Sequence, residues 1–237
     1  MKFENSSIDI LGSDGKYINI PLENVEIQNH FLHPESHIGI IVDKQINTDK
    51  MYDFYFKDKK DLTVIDAGAN VGTFSVHCSP SSKIIYSIEP TPSHFNILKQ
   101  ITSNFKNIIP INCALWSKDE NLTFYLYTNT TSNGAIHSTG QPITVIGKKL
   151  QTIITENNIE HIDLVKMDIE GSEFEVLTPE CIEYCYPIID NWIIEVHVLP
   201  RSGLSNFSEC REKLIDIFSS NNYKIDTQEI DRLFIYK

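Results

Sequence analysis

Two segments of the sequence bring carboxylates to positions where they can hold a positively charged nucleoside. Residues 64–72 form an apolar run that closes on Asp66 and breaks into a loop through Gly68, Asn70 and Gly72. Residues 84–90 form a second run, which closes on Glu89 and Pro90. Buried parallel strands that each deliver an acid at the carboxyl end are what a doubly wound sheet uses to hold a nucleoside. A dinucleotide loop needs glycine at its middle position so that backbone amides can approach a pyrophosphate. Here that position is Asn70, and the nearby Asp66 repels phosphate. S-adenosylmethionine, with a sulfonium and an ammonium, suits these charges better, since a carboxylate near 4 Å attracts a cation by about 4 kcal/mol before desolvation. Glu89 is expected to accept from both ribose hydroxyls, each charge-assisted bond contributing about 1.5 to 3 kcal/mol. Gly68 and Gly72 are expected to leave room for the methionine portion. Asn112, Cys113 and Ala114, at the end of the next apolar run, are candidates for the adenine.

A second set of reactive side chains follows further along. Lys166 and Asp168 fall on one side of a strand over 162–167 and Met167 on the other. A lysine inside a parallel strand is costly unless paired, and Asp168 is its obvious partner. Glu195 and His197 share a face at the end of a strand over 191–198. Beside Asp168, they could deprotonate a hydroxyl as it attacks a methyl carbon, and a positioned base is worth about 10²- to 10⁴-fold. His197 is the first choice as that base, because the ordinary imidazole pKa of about 6.5 suits the task. A variant places a divalent cation among Asp168, Glu195 and His197 to lower the pKa of the hydroxyl. Glu170 and Glu173 are read as acids favoured at the start of a helix over 170–177.

These residues need a sheet to carry them. From Asp61 onward, strands near 62–66, 83–88 and 107–112 alternate with helices starting near 72 and 92, the second with Thr91 as cap and Pro92 at its first position. Helices over 149–157 and 208–219 and a terminal strand pair, 223–226 with 232–236, complete the plan. Such alternation predicts an α/β fold with a mostly parallel central sheet and helices on both faces. Residues 1–60, punctuated by Gly12, Gly15, Pro21 and Pro34, read as a small β-rich extension over the ligand end of the sheet, and 61–237 as the main domain. The polar run Thr128–Gly140 is long for a connection and is read either as a mobile or substrate-contacting loop or as a disordered surface excursion.

The segments VIDAGANVGTFS (64–75), SIEPTPSHFNILKQ (87–100), INCALWSKDENLTFY (111–125), LVKMDIEGSEFEVL (164–177) and IIEVH (193–197) resemble, in order and spacing, the FkbM family of S-adenosylmethionine-dependent methyltransferases. The resemblance implies a Rossmann-like methyltransferase fold and O-methylation of a hydroxyl on a saccharide or small natural product.

Composition fits this expectation. The 237 residues, 41% hydrophobic, suffice for one sizeable core. A net charge of −12 argues against a nucleic-acid partner, which needs clustered Lys and Arg. Five scattered cysteines without paired spacing suggest a reduced, cytoplasmic setting, and no apolar stretch is long enough to span a bilayer. The rival readings are a non-catalytic nucleoside-binding scaffold on the same fold and a nucleotide-linked oxidoreductase, the latter disfavoured by Asn70.

Overall fold

Apolar runs separated by turn residues give this chain a central sheet with helices on both faces. A computed structural model describes residues 7–21, 52–126, 140–198, 206–227 and 229–237. A hairpin of β1 (Ser7–Leu11) and β2 (Tyr17–Pro21) comes first, followed by α1 (Asp53–Phe56). Strand and helix then alternate through β3 (Leu62–Ala67), α2 (Thr73–Cys78), β4 (Ser82–Ile88), α3 (Pro92–Thr102) and β5 (Ile108–Ile111). An insertion supplies β6 (Ala114–Leu115), β7 (Glu120–Leu126) and β8 (Gln141–Lys148). Alternation resumes with α4 (Leu150–Glu156), β9 (Ile162–Met167), α5 (Glu173–Val176), α6 (Pro179–Cys185) and β10 (Ile189–Glu195). It ends with α7 (Phe207–Ser219), β11 (Lys224–Asp226) and β12 (Arg232–Tyr236).

The central sheet has the order β11-β12-β10-β9-β3-β4-β5. Its five strands from β10 to β5 run parallel, and β12 and β11 close one edge antiparallel. This is the mostly parallel Rossmann-like arrangement expected. From β3 the chain steps outward to β4 and β5 and later returns on the other side as β9, so the strand order reverses between β3 and β9. Ligands of open α/β sheets bind outside the carboxyl ends of strands at such a reversal.

Alternate residues of the buried strands serve opposite faces. Val64, Leu164 and Ile193 pack with Phe74 and Val76 of α2, Ile97 and Ile101 of α3, and Tyr55 and Phe56 of α1. Ile65, Val165 and Trp192 pack with Ile153 of α4, Ile182 of α6, and Leu214 and Phe218 of α7. Burying each such side chain contributes about 1.5 to 3 kcal/mol. The insertion forms its own sheet, in the order β6-β8-β7, over a small core of Leu122, Phe124 and Val145. The polar run Thr128–Gly140 lies, apart from Gly140, outside the described residues.

Some elements differ from expectation. The helix read over 170–177 shrinks to Glu173–Val176, because Glu170 (φ 54°) and Gly171 (φ 95°) are left-handed and cannot begin a helix. Strand β10 ends at Glu195, which leaves His197 beyond it. Helix α6 was not expected from the sequence, although Thr178 caps it by accepting from the Cys181 amide and Pro179 opens it. Thr91 does stand at the cap of α3 but makes no side-chain cap bond. The described hairpin of the N-terminal extension does not cover the ligand end of the sheet. Its turn bonds His77 at the end of α2, through Leu11 O and Ser13 N, and Ser81 just before β4, which is the opposite end.

Candidate active site

The reversal point is held together by one buried lysine. Registers place Lys166 of β9 beside Asp66 of β3. Its Nζ lies 3.6 Å from Asp66 Oδ1 and 3.4 Å from Asp168 Oδ2, and it donates to the Gly68 carbonyl at 3.2 Å. Burial opposes the charge on Lys166, but Asp168 and Asp66 outweigh it and hold the ammonium well above the ordinary lysine range. The expected Lys166–Asp168 pairing is present. Asp66, in contrast to the expectation that it faces a ligand, has no solvent exposure, and its Oδ2 accepts from the Ser75 hydroxyl at 2.6 Å. A residue between two parallel strands is enclosed on both faces, so this carboxylate acts through its partners Lys166 and Ser75.

The glycine loop is shaped by the protein's own packing. The Asp168 amide donates to the Ala67 carbonyl at 3.0 Å, drawing the β9 turn against Gly68. A Cβ on Gly68 (φ 77°) would lie 1.7 Å from the Asp168 carbonyl oxygen, and one on Gly72 (φ 92°) 2.5 Å from Leu98 Cδ1. At both glycines the direction a side chain would take is filled, by Asp168 and by Leu98, so neither position accommodates a Cβ. Asn70 adopts φ 51°, which asparagine tolerates better than most residues.

Glu89 sits at the tip of β4 and is almost fully buried. Its Oε2 accepts from the Asn70 amide at 2.9 Å and its Oε1 from the Thr91 amide at 2.8 Å. Burial nevertheless pushes its carboxyl up to about 7, against the pull of these bonds. Asn112 fixes the turn after β4 by donating to the Glu89 carbonyl at 2.8 Å. Cys113 and Ala114 follow, both buried, and burial holds the Cys113 thiol at about 12. In the loop itself, Asn70 Oδ1 and Thr73 Oγ1 are buried with no hydrogen-bond partner among the described residues. Groups like these are expected to find a partner, and an ammonium and a carboxylate would satisfy an acceptor and a donor. The residues therefore fit the polar groups of S-adenosylmethionine.

Across the reversal point lies a cluster around His197. Its Nδ1 is 2.9 Å from Oε1 of Glu173, which also accepts from the Ile169 amide at 3.1 Å. Its Nε2 is 3.7 Å from Asp168 Oδ1 and 3.7 Å from Glu170 Oε2. Burial opposes protonation, but the bond to Glu173 and the charges of Glu173, Asp168 and Glu170 prevail and hold the imidazole at about 10. These neighbours favour the protonated imidazole, which weighs against His197 as the neutral base expected from the sequence. Burial also raises the Glu170 carboxyl to about 7.

Glu195 feels the charges of this group but is paired elsewhere. It pairs with Arg232 of β12 at 3.5 Å, and its carboxyl is raised first by burial and next by the charge of Asp168. The third member beside Asp168 and His197 is therefore Glu170. Its left-handed backbone turns it away from the expected helix. Tyr52, buried against Phe74 with ring centroids 4.8 Å apart, lies near the same charges, and burial holds its hydroxyl at about 12. The sequence reading missed Glu170 and Glu173 as site residues and did not weigh Tyr52 or Arg232. A signal for the first two was present in the dense acid spacing 168-170-173.

Residues 66–225 match the Methyltransferase FkbM domain. Among curated proteins, the chain is 24% identical over 207 residues to Methyltransferase 1 of Beauveria bassiana, covering 74% of this chain and 82% of that protein. It is 26% identical over 159 residues to the hexuronic acid methyltransferase AglP of Haloferax volcanii, covering 65% of this chain and 64% of that one. Among solved structures, it is similar to Aeropyrum pernix fibrillarin in complex with natively bound S-adenosyl-L-methionine, at 14% identity and a TM-score of 0.47, over 75% of this chain and 66% of the other. It is also similar to a SAM-dependent methyltransferase from Aquifex aeolicus, at 11% identity and a TM-score of 0.47, over 85% and 96% of the two chains. No helix among the described residues is long and apolar enough to cross a membrane.

Proposed function

The chain belongs to the FkbM-domain methyltransferases, and from that premise we propose that it uses S-adenosylmethionine to methylate a hydroxyl of a saccharide or comparable small molecule. The observation that carries the cofactor is Glu89, a buried carboxylate at a strand tip beside Asn70 and Thr73, whose side-chain oxygens find no hydrogen-bond partner among the described residues. Glu89 holds the ribose hydroxyls. Asn70 and Thr73 hold the amino-acid end, and Asn112, Cys113 and Ala114 border the adenine. Asp66 contributes by fixing Lys166, which in turn holds Asp168 and the Gly68 carbonyl. The word hexuronic in the name of the Haloferax relative supports a saccharide acceptor.

When bound, S-adenosylmethionine would supply an electrophilic methyl carbon for transfer to the acceptor oxygen, with its sulfur as the leaving group. The chain's own work is to hold the hydroxyl in line and to take away its proton. Holding the two reactants in place supplies about 7 to 11 kcal/mol. Asp168 and Glu170 are the carboxylates available to receive the hydroxyl and its proton. His197, carrying its own proton, holds their oxygens in place.

The test is transfer of radiolabelled methyl from S-adenosylmethionine to a panel of uronic acids, neutral sugars and phenols. Label in a base-stable ether of a sugar supports this reading. Label in the phenols alone removes the saccharide part. Cofactor binding without transfer to any acceptor favours a non-catalytic scaffold, and binding of NAD alone removes the whole reading.

A further inference from the structure

Asp168, Glu170 and His197 are drawn together from two strand ends, and each offers one ligand atom within 4.8 Å of the others. We propose that these three residues form a divalent-cation site that coordinates the acceptor hydroxyl. Their mixture of two carboxylates and an imidazole suits a first-row cation such as Mn²⁺. Ligands about 2.1 Å from such an ion lie roughly 3 to 3.4 Å apart. The observed 3.7 Å from Nε2 to each carboxylate oxygen therefore needs a contraction of less than an ångström.

A second observation outside the three ligands supports the site. Glu173 has no solvent exposure, and it engages His197 through Nδ1, which leaves Nε2 directed at the two carboxylates. A carboxylate behind a histidine is the arrangement that fixes the tautomer and orientation of a metal-ligating imidazole. The other oxygen of Glu173, Oε2, is buried and makes no hydrogen bond among the described residues. A cation bound at Nε2 takes the place of the proton that His197 carries there in the metal-free protein, so its binding releases that proton to solvent. Three protein ligands leave positions open, and a hydroxyl bound at one loses its proton more readily, to solvent water. This use of the cation rests on the methyltransferase reading, whereas its binding does not.

The cluster of His161, Asp163 and Asp190, also within ligand distance, makes a weaker site. His161 is half exposed, Asp190 pairs with Lys237 at 2.9 Å, and Asp163 accepts from the Thr63 amide at 2.7 Å.

The test titrates Mn²⁺ alone into the metal-stripped full chain, followed by calorimetry and electron spin resonance, with S-adenosylhomocysteine binding measured in parallel. One Mn²⁺ is expected to bind, with modulation from a ¹⁴N nucleus that changes on ¹⁵N-histidine labelling. Asp168→Asn and His197→Gln should abolish binding, Glu173→Gln should weaken it 10- to 100-fold, and Asp190→Asn should leave it intact. The nitrogen signal is read on the unsubstituted chain and does not depend on how the variants fold. Absence of binding, an oxygen-only signal, or loss in Asp190→Asn with retention in His197→Gln overturns the proposal. If S-adenosylhomocysteine binds and Mn²⁺ does not, only this inference falls. If Mn²⁺ binds and S-adenosylhomocysteine does not, the functional reading falls and the site stands.

Discussion

The Nδ1 of His197 lies 2.9 Å from the Oε1 of Glu173, so a residue beyond the end of β10 is fixed by a carboxylate at the start of α5. Hydrogen bonds to charged groups contribute about 1.5 to 3 kcal/mol. Glu173→Gln keeps the shape and removes the charge. In the metal-free protein, the His197 ring should then titrate well below about 10, as read by NMR of its Cε1 proton. An unchanged titration would mean that Glu173 does not set the charge of this imidazole.

Lys166 binds the reversal point electrostatically, and removing it leaves Asp66 buried without its cation. Breaking a buried pair from one side costs about 3 to 5 kcal/mol, while removing both partners costs much less. Lys166→Met should lower the urea midpoint by a corresponding amount, and Lys166→Met with Asp66→Asn should recover part of the loss. If the double variant is as unstable as the sum of the two single variants, the two residues are not coupled.

Gly68 permits the close approach of the β9 turn. Gly68→Ala places a methyl on the Asp168 carbonyl and forces a left-handed φ on alanine. We expect a loss of more than about 4 kcal/mol, of the size reserved for severe core defects, read as loss of the cooperative thermal transition. A variant of ordinary stability would show that this approach is not tight.

Burial raises the Glu89 carboxyl from 4.5 to about 7, so the folded state holds this proton more strongly than the unfolded chain does. Stability is therefore greatest below pH 4.5 as far as this group is concerned, and falls as pH rises toward 7, by about 3 kcal/mol. Ligand binding has the opposite sign, because ribose hydroxyls donate to the ionised form. Affinity for S-adenosylhomocysteine should be about tenfold lower at pH 6 than at pH 8. In Glu89→Gln the part of both dependences that belongs to this group should vanish, leaving the stability dependence of Glu170, whose carboxyl is also raised to about 7, and calorimetry and thermal melts at the two pH values check this.

Much of this architecture is legible in the sequence because the strands are written in unbroken apolar runs. Val64–Ala67, Ile84–Ile88 and Leu164–Met167 are long enough, and acid-ended enough, to announce a parallel sheet and its reversal point. Glu89 is readable for the same reason, as an acid at a strand tip. The burial of Asp66 is not, because it depends on Lys166 arriving from a strand a hundred positions away. Nor is the upward pull on the His197 imidazole, which requires three carboxylates that a left-handed Glu170 and a shortened helix bring together only in the fold. Helix α6 shows the converse: its cap at Thr178 and proline at 179 were present, but a seven-residue helix with few periodic positions gives a weak signal.

Glu89 is the proposed anchor of the adenosyl cofactor. Calorimetric titration of S-adenosylhomocysteine into the unsubstituted chain and into Glu89→Ala, both at pH 8, measures this directly. Stoichiometric binding to the first and a tenfold or greater weakening in a still-folded second is the predicted result. Equal affinity in the two chains would contradict the account.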